Sequence, residues 1–435
     1  MVEKKRGLKG RTLYIPRMSD EGARAFAAAF KYLGVDAHPS PDGDERTYEI
    51  AGRFTSGDEC LPERVTIGDF LKVTEQPGFD PAKTAFFMPT ASGPCRFGQY
   101  SPFLSQVLRE LGYDDILIVC PTSADGYSSL GEYSGPMMRL GWWGLIGSDA
   151  IRKMLHVYRP YETKRGAADE ACERSLGIFC EALADPSVPI GAKKLSQLAG
   201  ALETGRDLFR AIPVDFSRET RLIGIVGEIF CRLSTFSNED LIRRLETFGV
   251  QAWLSDIGEW VWYTNVEQEK NLRLYGRGFS LEMLKVKIKK RVQHSHEERL
   301  LAPLRDEFIG LEEPHDIMEV LERSQPYLPY HGSLGEMVLS VGKAVYLYEK
   351  GADGIIDISP FTCMNGVICE SIYPRVSRDC EGIPIRTFYF DGTQTDLEND
   401  LGIFMELVHN YSRRKTKRRA RRRGSCRRAA AHSAA

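Results

Sequence analysis

Gly354-Ile355-Ile356-Asp357-Ile358-Ser359-Pro360-Phe361-Thr362-Cys363-Met364-Asn365-Gly366-Val367 is the stretch from which the fold can be read. Gly354–Ile358 is apolar and β-rich and reads as a strand. Ser359–Gly366 has turn chemistry, with Cys363 just past the strand. Val367–Val376 then opens a helical pattern. The next segment, Ile383–Phe390, is near-continuously apolar, as strands buried on both faces of a parallel sheet are. Strand, helix and strand in succession imply parallel pairing through a right-handed crossover.

The same alternation runs outward in both directions. Upstream, Leu222–Ile229 and Ala252–Ser255 read as strands, with a helix at Asn238–Phe248 ended by Gly249. Gly335–Lys350 is a helix and Thr395–Tyr411 the closing one. Near the start of the chain, strands are expected at Thr12–Ile15, Thr84–Met88 and Ile116–Cys120. Helices are expected at Asp20–Leu33, Leu61–Val73 and Tyr100–Leu111. Between the two series the texture is helical, at Met154–Tyr161, Ala167–Leu183 and Ala192–Ala211. The expected organisation is an α/β domain over 1–145, a helical region over 146–216, and a second α/β domain over 217–412. A charged helical insertion lies near 265–330, and residues 413–435 form a basic tail.

Bulk properties fit this plan. The 435 residues suffice for two or three cores. A hydrophobic content of 42% with 27% charge is that of an ordinary soluble protein. No apolar run reaches membrane-spanning length. Met1–Arg6 is basic without a following apolar stretch, so no signal peptide is expected. Ten cysteines without such a signal argue for reduced thiols and a cytoplasmic location. The net charge of −2 conceals an asymmetry: removing the eleven Lys and Arg of Arg413–Arg428 leaves −13 for the rest. That tail has almost no apolar face and reads as disordered. No aromatic platform or nucleic-acid fold motif accompanies it, so nucleic-acid binding is not expected. No Gly-x-x-x-x-Gly-Lys-Ser/Thr occurs, and no Gly-x-Gly-x-x-Gly follows the first strand. ATP or NAD binding by this chain is therefore not expected.

Three cysteines sit at turns beside Gly or Pro: Cys60 in Gly57-Asp58-Glu59-Cys60-Leu61-Pro62, Cys95 in Gly93-Pro94-Cys95-Arg96-Phe97-Gly98, and Cys363. Cys60 and Cys363 directly precede helices, whose N-termini favour thiolates. Cys95 and Cys363 follow strands, at the edge where open parallel sheets bind ligands. Three converging thiolates would suit an iron–sulfur centre; equally, small residues belong in tight turns. Cys120 also ends a strand at that rim, and Cys369 and Cys380 follow Cys363. Each reads either as an additional ligand or as a small buried or loop thiol. Cys172, Cys180 and Cys231 read as packing residues, and Cys426 as free. Among other polar groups, Glu228 ends an apolar strand and is expected to pair with Arg232 or His331. Ser123 and Asp125-Gly126-Tyr127 are loop candidates.

Met88-Pro89-Thr90-Ala91-Ser92-Gly93-Pro94-Cys95-Arg96-Phe97-Gly98-Gln99-Tyr100, the Cys60 motif and Phe361-Thr362-Cys363-Met364 together resemble the 2-hydroxyacyl-CoA dehydratase superfamily. The resemblance is nearest to its branch of dehydratase-activase-related, double-cubane-like proteins. Gly227-Glu228-Ile229-Phe230 and the Glu259-Trp260 pair fit the same pattern, which covers the chain to about Arg414. The resemblance implies two Rossmann-like domains with a helical part and a 4Fe-4S cluster held by Cys60, Cys95 and Cys363 in the cleft between them, with Cys120 a possible further ligand. Some relatives instead hold a double-cubane iron–sulfur cluster. It also implies a homo-oligomer, a dimer, and a partner: an ATP-hydrolysing iron–sulfur activator of the actin/sugar-kinase fold that injects low-potential electrons. The cluster would then serve reductive or radical chemistry, as in dehydration of a 2-hydroxyacyl thioester. The alternative is a non-catalytic electron-transfer or cluster-scaffold subunit. Amides of Gly93, Gly98 and Gly366 are expected near the sulfides, and Arg96 is expected to favour the reduced state.

Overall fold

A computed structural model describes residues 7–91, 93–122, 127–333, 335–393 and 396–432, with side chains as far as Lys415. The chain is α/β, with two four-stranded parallel sheets and helices around them. The first half contains β1 (Thr12–Ile15), α1 (Asp20–Tyr32), β2 (Asp36–Pro39), α2 (Glu45–Ala51), α3 (Leu61–Thr74), β3 (Thr84–Phe87), α4 (Tyr100–Glu110) and β4 (Leu117–Val119). Three helices follow: α5 (Ser134–Tyr158), α6 (Ala167–Ala184) and α7 (Ala192–Arg210). The second half contains β5 (Arg221–Gly227), α8 (Ile229–Leu233), α9 (Leu241–Thr247), β6 (Val250–Leu254), α10 (Gly258–Leu274), α11 (Leu281–Leu301), α12 (Met318–Ser324), α13 (Glu336–Lys350), β7 (Gly354–Pro360), α14 (Met364–Asp379), β8 (Ile385–Phe390) and α15 (Leu397–His432).

The sheets share one topology. Their orders are β2-β1-β3-β4 and β6-β5-β7-β8, and every pairing is parallel. Strand order therefore reverses between β1 and β3, and between β5 and β7, opening a crevice beyond the carboxyl ends. The central strand β7 is buried along its whole length, in accord with its apolar sequence.

Local chemistry sets the helix starts. Ser19 caps α1 by accepting from the Gly22 amide at 3.0 Å. The small buried face of α1 (Ala23, Ala25, Ala27–Ala29) lets it pack closely on α5 and α6. Asp44 and Thr47 form a capping box at α2. Neither β2 nor α2 is evident in the sequence: β2 has one buried residue, Ala37, and exists by pairing with β1.

α5 is longer than the expected Met154–Tyr161, and residue 146 lies inside it. Gly141, Gly144 and Gly147 conceal it, since interior glycines weaken a helix pattern. They are there for packing. A Cβ on Gly147 would stand 2.0 Å from the Phe179 ring of α6. The charged excursion expected near 265–330 is the pair α10 and α11 followed by α12.

α15 buries Leu397, Leu401, Phe404, Met405, Val408 and Tyr411. Its last described side chain, Lys415, donates to Asp353 at 2.8 Å. Its backbone continues as helix to His432, where disorder was expected from residue 413. Arg, Lys and Ala are strong helix formers and need no apolar face to extend a helix already anchored. No helix among the described residues is long and apolar enough to cross a membrane.

Candidate metal centre

Cys60, Cys95 and Cys363 occupy equivalent backbone positions. Each is the N-cap of a helical segment: α3 for Cys60, the single turn Arg96–Gln99 for Cys95, and α14 for Cys363. All three have extended φ/ψ. Cys95 follows β3 and Cys363 follows β7, so each lies beside the reversal point of its sheet. α3 connects β2 to β3, which brings its N-terminus and Cys60 to the same rim.

Specific contacts join the three turns. The Cys60 sulfur lies 2.7 Å from the Tyr100 hydroxyl, at the start of the helix that follows the Cys95 turn. Arg96 donates to the Asp58 carbonyl, tying the Cys95 and Cys60 turns together. Arg64, one turn along α3, donates across to the Asp391 carbonyl at 3.2 Å, beyond β8. The Phe361 amide donates to the Phe390 carbonyl at 2.8 Å, fixing the Cys363 turn against β8. A cleft of about 180 Å³ remains between these turns, lined by Asp58, Leu61, Arg64, Arg96, Phe361 and Asp391 among others.

Glu228 is the common neighbour. Its charge acts on Cys60, Cys95, Cys363, Cys231 and Tyr100. Its carboxylate caps α8, accepting from the Phe230 amide at 3.0 Å and the Cys231 amide at 2.7 Å. Of the two expected partners, Arg232 supplies the pairing charge and His331 does not. Burial raises the Glu228 pKa, the Cys231 and Phe230 amides and the Arg232 charge oppose that rise, and the Arg232 guanidinium itself donates to the Gly227 carbonyl at 2.5 Å. His331 is exposed and stacks on Tyr330 with ring centroids 4.2 Å apart. Glu336 accepts from the Ile229 amide at 2.8 Å. Asp357 accepts from Ser359 at 2.7 Å and from Tyr373. The three acids share one buried cation, Arg232.

The electrostatics differ from the sequence expectation. Helix N-termini were expected to stabilise the Cys60 and Cys363 thiolates, yet burial dominates and raises all three thiol pKa values. Cys60 and Cys363 are pushed up to about 12, and Cys95 is raised as well. None of the sulfurs completes a geometric cap bond. Amides of the first turn nevertheless lie close enough to oppose the shift: Glu63 for Cys60, Phe97 for Cys95, and Gly366 with Asn365 for Cys363. Acidic neighbours add to burial, with Glu228 acting on all three. The Gly98 amide is spent on the Cys95 carbonyl at 3.3 Å. Gly366 is required where it stands, since a Cβ there would meet the Ser359 hydroxyl at 2.6 Å.

The remaining cysteines separate by position. Cys120 is half-buried at the end of β4, the edge strand next to β3. Cys369 is buried and directs its thiol to the Met337 carbonyl at 3.6 Å. Cys380 is buried at the end of α14. Cys172 is buried and Cys180 half-buried on α6. Cys231 is a buried core residue, as expected, and its thiol also lies within the electrostatic reach of Cys60 and Cys363. The turn Gly227-Glu228-Ile229-Phe230-Cys231 was its signal, a third strand-to-helix turn with a cysteine. Tyr100 and Glu336 had no comparable signal, being a helix tyrosine and a helix acid in sequence. Ser123 and Asp125-Gly126 lie outside the described residues, as do Met1–Arg6 and the Cys426 side chain.

Thiolates are the donors that iron–sulfur clusters take. Three half-buried or exposed thiols come from separate turns, with amide and hydroxyl groups beside them. Among the described residues the three sulfurs are not gathered within the 4.8 Å that would let them grip a single ion. A multi-iron group spans wider ligands. No protein-family model matches the chain, and no curated protein matches it.

Proposed function

We propose that Cys60, Cys95 and Cys363 hold a 4Fe-4S cluster in the cleft between the two sheets. On this reading the chain is an iron–sulfur protein of the 2-hydroxyacyl-CoA dehydratase type. It would act in low-potential reductive or radical chemistry after electron injection by an ATP-dependent activator. The observation that carries the reading is the equivalence of the three cysteines. Each caps a helical segment at one rim, and all three share Glu228 as a charged neighbour.

When bound, such a cluster supplies a low-potential electron and, with three protein ligands, one iron open to substrate. The residues of the chain do the rest. Tyr100 and the first-turn amides direct dipoles at the sulfurs and stabilise their deprotonated forms. The cleft of about 180 Å³ is smaller than the roughly 300–1,000 Å³ of drug-sized sites. Glu336, pushed up to about 8 by burial and by Glu228, holds a proton at neutral pH. Buried carboxyls that keep a proton near pH 7 suit general-acid work.

Thiols must deprotonate to ligate metal. Because burial raises these three, loading releases protons and strengthens as pH rises. The test is anaerobic reconstitution with iron and sulfide, followed by metal and sulfide analysis and EPR. About four irons per chain is expected for one cubane and about eight for a double cubane. Cys95→Ala should lose the brown colour. Full iron and sulfide in Cys95→Ala, or no iron after reconstitution of the unaltered chain, would overturn the reading.

A further inference from the structure

The excursion of the second half carries a separate cluster of metal-ligating side chains. His294 and Glu298 lie one turn apart on α11, on one face of the helix. His315 comes from the segment leading into α12. The His294 Nε2 is 3.5 Å from a Glu298 carboxylate oxygen. The His294 and His315 rings stand edge to face with centroids 4.7 Å apart. One ligand atom from each of the three lies within 4.8 Å of the other two.

We propose that His294, Glu298 and His315 bind one borderline divalent transition-metal ion, of the Zn²⁺ class, that clips α11 to the segment before α12. Two imidazoles and a carboxylate form the nitrogen/oxygen set that Zn²⁺, Co²⁺ and Ni²⁺ prefer, distinct from the thiolates that select iron–sulfur clusters. Two of the three ligands are already oriented by one helix, so ordering them costs little. With three protein ligands the ion keeps a position for water. The surrounding charge is mixed: Lys287, Lys289, Lys290 and Arg291 lie on the preceding turns, while the Glu319 carboxylate accepts from the His315 amide at 3.1 Å. Two more features favour a cation. Glu298 brings a carboxylate to the ion, and Lys290 faces Asp316 at 3.9 Å. The Trp262 ring, 6.0 Å from that of His294, walls one side.

Co²⁺ titration of the full chain tests this, with the cysteines left in place. An imidazole–carboxylate site gives weak visible ligand-field bands, whereas a thiolate site adds intense near-ultraviolet charge transfer. The two sites therefore report separately, and failure of one reading leaves the other standing. The expected result is one equivalent of Co²⁺ with ligand-field bands free of thiolate charge transfer, lost in His294→Gln/His315→Gln. Glu298→Gln, an exposed and structurally mild change, should weaken binding by about 10–100-fold or more. Zn²⁺ should raise the melting temperature of the unaltered chain and leave that of the double variant unchanged. Unchanged Co²⁺ affinity in both variants, or thiolate-type Co²⁺ binding alone in the unaltered chain, overturns the proposal.

Discussion

The two halves of the molecule share a strand order and divide the work differently. The first sheet is built from strands of four, four, four and three residues; the second from strands of seven, five, seven and six. The first half supplies two of the three thiols, Cys60 and Cys95, and the more exposed one is Cys95. The second half supplies one thiol, Cys363, together with Glu228, Glu336, Asp357 and Arg232. Buried acids that share a single cation need a well-packed scaffold, and the longer sheet provides it. The comparison teaches that equal topology does not imply equal chemistry. One half carries two of the three cysteine turns, while the other carries the third together with the buried acids around it.

The largest effect would come from removing a thiol. Cys95→Ser and Cys363→Ser should each eliminate bound iron, measured after anaerobic reconstitution, because the proposed ligands span both halves. Retention of full iron by Cys363→Ser, with loss in Cys95→Ser, would confine the site to the first half and break the comparison.

Next is the ion network of the second half. Lys343 is fully buried between Glu259, at 2.8 Å, and Glu313. Lys343→Met should cost about 3–5 kcal/mol by leaving the buried Glu259 carboxylate without its cation, while Glu313 keeps Lys153, read from urea unfolding. A change under 1 kcal/mol would show that the buried pair contributes no more than an exposed one.

A pH dependence separates the halves further. The Glu336 carboxyl, at about 8 when folded, holds its proton above the ordinary range near 4.5. The folded state therefore binds more protons than the unfolded one between those values. This group's share of stability is lost as pH rises across that window. Glu336→Gln can still accept from the Ile229 amide. The fall in unfolding midpoint between pH 5 and pH 8 should be smaller in that variant than in the unaltered chain. An identical pH profile would remove Glu336 from the proton-holding role.

The smallest effect lies in the first half. Tyr100→Phe deletes the hydroxyl beside Cys60 and should cost about 0.5–1.5 kcal/mol of apo stability. In the loaded protein it should lower the reduction potential, because one dipole directed at a ligand sulfur is gone. An unchanged potential would mean that the hydroxyl does not face the ligand set.

Much of this was legible in the chain. The apolar runs at β7 and β8, the alternation of strands with helices and the closing Gly249 of α9 marked a parallel α/β architecture by local rules alone. The turn chemistry around Cys60, Cys95 and Cys363 marked three special thiols. What local rules do not reach is anything decided by a partner distant in sequence. β2 exists through its pairing with β1, and α5 is continuous because its glycines meet Phe179 and Ala25. Cys231 and Glu336 join the site because β5 and the start of α13 end at the same rim. The sign of the thiol shifts was decided in the same way. The sequence shows the helix N-termini, whose dipoles favour thiolates. The tertiary structure adds burial and the Glu228 charge, which outweigh a half-charge dipole once water is excluded.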